Sequence, residues 1–127
     1  MDSISLHCCP IAALHEHIEP ESIDVILTDP PYPKDYLDTW ADLGTFAAHA
    51  LKPSGHLLAT SGHAWMPQIL KMLDEVEGIR YQWMLCLPMP SSGRKGNMTG
   101  TCIGRRVIRI TWKPILWYVK PPSDVHQ

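Results

Sequence analysis

The densest run of chemically useful residues in this chain is Asp29-Pro30-Pro31-Tyr32-Pro33. Asp29 supplies a carboxylate that accepts hydrogen bonds. Proline fixes φ and removes a backbone donor, so three prolines in five residues make a stiff loop. Within it the Pro30 carbonyl is held in one direction. Tyr32 adds an aromatic face on which a planar group can stack. The same types also have structural uses: Asp29 as a turn cap, Tyr32 as a packing residue. A second candidate cluster is His7-Cys8-Cys9 with His15 and His17. It has no standard zinc spacing, so no metal site is expected there. A third group is basic: Lys34, Arg94, Lys95, Arg105 and Arg106.

The elements that must position these residues follow from periodicity. Ile23-Asp24-Val25-Ile26-Leu27-Thr28 is β-rich and almost all apolar, which suits a central parallel strand covered on both faces. It runs straight into the proline loop, so Asp29 stands at the strand's C-terminal end. Before it, Ile4–Cys9 reads as a strand, and Pro10 opens a short helix with Ile11, Leu14 and Ile18 at helical spacing. After it, residues 37–51 read as an amphipathic helix stopped by Lys52-Pro53-Ser54-Gly55. His56–Thr60 is the next strand, Met66–Val76 a second helix closed by Gly78, and Tyr81–Leu87 a third strand. Residues 88–104 are rich in Gly, Pro, Ser and Thr and read as a long loop. Arg105–Trp112 reads as a short edge strand and Pro114–Val119 as a final strand. Alternating strands and helices predict an α/β sheet of mostly parallel strands with helices on both faces. Ligands of such sheets bind beyond the C-terminal ends of the strands, where Asp29 and Ser61-Gly62-His63 are expected.

At 127 residues and 45% hydrophobic composition the chain has material for one core and one domain. It has no apolar run of membrane-spanning length and no basic, apolar leader. Four cysteines without paired spacing fit free thiols in a reducing, cytoplasmic compartment. Net charge is −2, but it is unevenly divided. Residues 1–79 carry 12 acids and 3 bases, whereas residues 80–127 carry 1 acid and 8 bases. A basic C-terminal part suits contact with a polyanion. Opposite charges facing each other within one fold account for it equally well.

The strand-to-loop segment Val25-Ile26-Leu27-Thr28-Asp29-Pro30-Pro31-Tyr32 resembles the catalytic motif of DNA adenine methyltransferases. The helix ending in Leu51-Lys52-Pro53-Ser54-Gly55 and the segment Trp112-Lys113-Pro114-Ile115-Leu116-Trp117-Tyr118-Val119-Lys120 extend the resemblance, in the same order, over about residues 4–120. The likeness is greatest to phage and prophage DNA methylases. It implies a partial Rossmann-like methyltransferase sheet, with S-adenosylmethionine as cofactor and DNA as partner. Adenine's ring amine is a poor nucleophile because its lone pair is delocalised. Two acceptors aimed at its hydrogens favour the pyramidal geometry that attack requires. The resemblance gives these roles to the Asp29 carboxylate and the Pro30 carbonyl, with Pro31 stiffening the loop and Tyr32 stacking on the flipped base. It also brings Asp29 beside the cofactor. Asp at the first motif position favours adenine over cytosine as the acceptor. The basic loop region, with Arg94, Lys95, Arg105 and Arg106, leads toward target recognition, and Lys34 follows the motif closely enough to touch phosphate.

One expected part is missing. The resembled enzymes carry a strand, a Phe-x-Gly-x-Gly loop and a helix for the cofactor. Gly93, Gly96, Gly100 and Gly104 do not form such a unit. The chain therefore reads as the catalytic-motif half. The cofactor half is then lost or encoded by a separate chain, or the chain is a non-catalytic remnant that binds nucleic acid or a partner; a half-sheet also exposes apolar edges that a second copy, in a homo-oligomer, would cover.

Overall fold

The computed structural model describes residues 3–89, 99–103 and 106–122, with the side chains of 99–110 outside the description. A 3-10 helix at Ile11–Glu16 leads into strand β1 (Ile23–Thr28). A one-turn 3-10 segment at Lys34–Tyr36 precedes helix α1 (Asp38–Ala50) and strand β2 (Leu51–Thr60). Helix α2 (Met66–Asp74) and strand β3 (Arg80–Pro88) follow. Strands β4 (Thr99–Ile103) and β5 (Arg106–Ile110) pair as an antiparallel hairpin, and β6 (Trp112–Val119) completes the main sheet.

That sheet has the order β1-β2-β6-β3. β1 and β2 are parallel, and β6 is antiparallel to both β2 and β3. The expectation of mostly parallel strands is therefore corrected: the sheet is mixed. The reason lies in the connections. β1 reaches β2 through a helix, as a parallel crossover requires, but no helix among the described residues separates β3 from β6. A strand that returns without a crossover pairs antiparallel.

Helices α1 and α2 lie on one face. Trp40, Leu43 and Ala47 of α1 and Ile69 and Leu73 of α2 share one core cluster with Leu57, Ala59, Leu116 and Tyr118 of the sheet. Their spacing along each helix is the apolar stripe that amphipathic helices bury. Helices on both faces were expected. The opposite face instead lacks a helical layer among the described residues. The strand register places Leu58, Ile115, Trp117, Trp83 and Leu85 there, and Trp83 is 64% exposed. β1 accordingly differs from the central, doubly covered strand that its composition suggested. It is an edge strand, with Val25 50% and Leu27 74% exposed.

Two further expectations change. Ile4–Cys9 forms no strand, and Ile4 and Leu6 are exposed, because no described neighbour offers them a ladder. The stretch read as a loop over 88–104 is only partly so. Pro88 ends β3 and Thr99–Ile103 is strand β4, while 90–98 and 104 lie outside the described residues.

Candidate functional site

β1 and β2 run parallel with Thr28 opposite Ala59, so the next residues, Asp29 and Thr60, emerge side by side at the strands' C-terminal ends. The Thr60 hydroxyl donates to Asp29 Oδ1. The Tyr32 phenol, three residues on along the proline loop, donates to the same oxygen. β6 carries Lys113 to this corner from the other side of β2. Its ammonium donates to Tyr32 Oη at 2.7 Å and lies 4.8 Å from the centre of the Tyr32 ring. The ring also rests against Gly62, where an added Cβ would stand 3.8 Å from it.

These contacts set the ionisation of the site. Partial burial pushes the Asp29 carboxyl up, but the Thr60 and Tyr32 hydrogen bonds and the Lys113 charge together hold it below the usual value. Lys113 is held above its usual value, first by its bond to Tyr32 and also by the Asp29 charge. Asp29 is thus a carboxylate, an acceptor with no proton to give, over the physiological range. Leu27, Thr28, Asp29, Thr60, Leu87 and Lys113 line an open cleft of about 520 Å³. Leu27 and Leu87 belong to the uncovered face of the sheet, so the cleft opens onto it.

The sequence-derived candidates divide. Asp29, Pro30, Pro31 and Tyr32 form one continuous corner at the end of β1. Lys34 stands in the adjoining 3-10 turn, its ammonium 5.8 Å from the Trp65 ring. Arg94, Lys95 and Arg105 lie outside the described residues. Arg106 is placed by its backbone alone, opposite Ile103 in the hairpin. His63, just past the end of β2, is half-buried. Its ring meets Trp112 edge-on at 4.6 Å, burial lowers its pKa, and Nε2 is buried without a partner among the described residues.

Thr60 and Lys113 were not among the candidates read from the sequence. Both had a signal: Thr60 ends the strand after the Lys-Pro-Ser-Gly stop, and Lys113 is the second residue of the Trp112–Lys120 segment. The histidines and cysteines near the N-terminus build nothing comparable. His7 and His17 stack at 5.0 Å, and Cys8, Cys9 and Cys86 are free thiols. No group of three or more potential ligands is placed to hold a metal among the described residues. No helix there is long and apolar enough to cross a membrane.

No protein-family model matches this sequence, and no curated protein matches it. Solved structures do. TTHA0409, a proposed DNA modification methylase of Thermus thermophilus, matches in its complex with S-adenosyl-L-methionine, with TM-score 0.66 and 14% identity over 92% of this chain and 53% of its own. The complex of M1.HpyAVI with S-adenosylmethionine matches with TM-score 0.59 and 19% identity over 96% of this chain and 56% of its own. The cytosine-N4-specific PvuII DNA methyltransferase matches with TM-score 0.64 and 21% identity over 87% of this chain and 48% of its own. The chain has a fold similar to part of these proteins and spans about half the length of each.

Proposed function

We propose that this chain is the catalytic-motif half of an S-adenosylmethionine-dependent DNA methyltransferase that acts on the 6-amino group of adenine. The observation that carries the reading is the Asp29 corner: an ionised carboxylate anchored at the end of a parallel strand, next to a proline-stiffened carbonyl and an aromatic ring. Asp29 and the Pro30 carbonyl accept the two amine hydrogens, and Tyr32 packs on the base. Both acceptors are fixed before the base arrives, so little reorganisation accompanies charge development on the nitrogen. Arg94, Lys95, Arg105 and Arg106 serve the DNA backbone, with Lys34 near the motif.

S-adenosylmethionine supplies the methyl group when bound. The described residues fit the acceptor side of that reaction and not the cofactor side: among their glycines Gly62 alone stands between a strand and a following helix, where a cofactor loop carries several. The cofactor side therefore comes from a further segment or a separate chain. This division agrees with a chain that spans about half of its structural neighbours. The same fact favours a second reading, a non-catalytic remnant that keeps the base corner and binds nucleic acid or a partner.

The test is a nucleoside titration of the isotope-labelled chain followed by NMR. Deoxyadenosine is expected to shift the resonances of Asp29, Tyr32 and Thr60 more than deoxycytidine does. Equal responses would remove the adenine assignment, and no response to either would remove the site. Calorimetry with millimolar S-adenosylmethionine then separates the chain alone from one that needs a partner.

A further inference from the structure

We propose that Lys113 is a positioning residue that fixes the Tyr32 phenol, so that Asp29 keeps Oδ1 engaged by the protein and presents Oδ2 to the incoming amine. The use of Oδ2 rests on the amine-acceptor reading above; the relay itself does not.

Proton counting sets the direction of each bond. A lysine ammonium has three donors and no acceptor, whereas a phenol has one proton and can also accept. In the 2.7 Å contact between Lys113 Nζ and Tyr32 Oη the phenol oxygen is therefore the acceptor. Its single proton is directed away from the ammonium, and the acceptor in reach is Asp29 Oδ1. Thr60 has one proton as well, and it goes to the same oxygen. Two donors converge on Oδ1, while no described side chain donates to Oδ2. The carboxylate is thereby held in one rotation with one oxygen committed and one available. A chain of hydrogen bonds running from ammonium to phenol to carboxylate polarises each member, which strengthens the inner bond.

The backbone beneath Lys113 is fixed on both sides. Lys113 is opposite Leu87 in the β3–β6 ladder. On the other side the Ser61 amide donates to the Pro114 carbonyl at 3.1 Å. A residue on a strand paired at both edges can set the angle of a group on a loop, because the loop is the softer of the two. The ammonium over the Tyr32 ring adds a second restraint, a cation–π contact at 4.8 Å. The restraint reaches 81 positions back along the chain.

The experiment uses the 127-residue chain with carbon-labelled Asp and Tyr, following the Asp29 carboxyl and the Tyr32 Cζ resonance against pH. Lys113→Met is expected to move the Asp29 midpoint upward and to shift Tyr32 Cζ, and Lys113→Arg is expected to restore most of both. Tyr32→Phe removes the middle of the relay without touching β6. In that background Lys113→Met should move Asp29 less than it does alone. An Asp29 midpoint and Tyr32 Cζ unchanged in a folded Lys113→Met chain would overturn the proposal. Equal effects of Lys113→Met with and without the Tyr32 hydroxyl would overturn it too, because the charge would then act without the phenol. Should Lys113→Met fail to fold, Lys113→Arg and Tyr32→Phe decide: an unmoved Asp29 in Tyr32→Phe refutes the relay. Deoxyadenosine titration of the wild-type chain is read separately. A responsive Asp29 midpoint with no nucleoside binding leaves the relay standing and removes the amine-acceptor reading.

Discussion

Thr60 and Asp29 sit side by side at the tips of two parallel strands, and the threonine hydroxyl donates to Asp29 Oδ1. The contact ties the loop motif to the neighbouring strand across 31 positions. Thr60→Val keeps the shape and removes the donor. The Asp29 midpoint should rise toward the ordinary carboxyl range. The stability linkage has a definite sign. A carboxyl depressed in the folded state stabilises above its unfolded value of about 3.9, and that stability is lost as pH falls through the folded value. Thr60→Val should therefore flatten the acid side of the stability profile by lowering the neutral-pH plateau, and because Asp29 is exposed that loss should be about 1 kcal/mol or less. Urea unfolding between pH 2 and pH 7 checks both.

The two faces of the sheet should answer mutation in opposite ways. Leu116 is fully buried beneath the helices, and Leu116→Ala should cost roughly 2–5 kcal/mol. Trp83→Glu and Leu27→Glu, on the uncovered face, should each stay within about 1 kcal/mol. They should also reduce binding of an apolar dye and lower self-association in sedimentation velocity. A large loss of stability from either substitution would show that the face is packed.

Tyr118 is buried in the core with its hydroxyl donating to Asp74 at 2.8 Å. Burial, reinforced by that hydrogen bond and the Asp74 charge, pushes its phenol far above the ordinary tyrosine range. A phenol raised in the folded state contributes stability that is complete below the unfolded value of about 10 and is lost as pH rises beyond it. Stability should thus fall on the alkaline side, and Tyr118→Phe should reduce that slope. The same substitution should cost roughly 1–3 kcal/mol at neutral pH, where a bond to a charged acceptor is lost. Tyrosine ultraviolet titration should show a phenol that resists ionisation until the chain unfolds, and Tyr118→Phe should remove that component.

Gly55 sits where β2 bends past β1, just after Ser54 at φ +65°. A Cβ there would lie 2.8 Å from the Lys52 carbonyl oxygen and 3.1 Å from that of Asp24. Backbone oxygens cannot swing away as a side chain can, so Gly55→Ala should cost roughly 1–3 kcal/mol by overpacking. Thermal unfolding measures it. Gly62→Ala, with 3.8 Å to Tyr32, serves as the tolerated control.

How much of this was legible depends on the range of the interaction. β1, α1, β2, α2 and β3 follow local periodicity, and the sequence places each within a few residues. The Lys-Pro-Ser-Gly segment is the exception: it reads as a stop but continues as the first half of β2, because Leu51 pairs with Ile23 across an irregular step. Strand direction was not legible, since an apolar run such as Pro114–Val119 looks the same in a parallel or an antiparallel ladder. Nor was face coverage: Val25 and Leu27 have the composition of buried residues, and only the placement of both helices on the other face reveals them as exposed. In the site, Asp29, the prolines and Tyr32 stood out because they are contiguous. Thr60 and Lys113 did not, because their places in recognisable segments show their roles only once topology brings them to the same carboxylate.

The place of β6 in the sheet also bears on the order in which the chain can fold. β3 pairs with β6 and with no other strand of the main sheet, and β6 is what joins it to β2. Until Trp112–Val119 has been synthesised, β1–β2 and β3 are separate pieces with no ladder between them. β6, the last strand among the described residues, is thus an inner strand of the sheet, a long-range arrangement of the kind that slows folding. Ribosome-bound chains released before that strand emerges should lack both the closed sheet and the lysine at Asp29's corner. Closure of the sheet and completion of the site are then a single event.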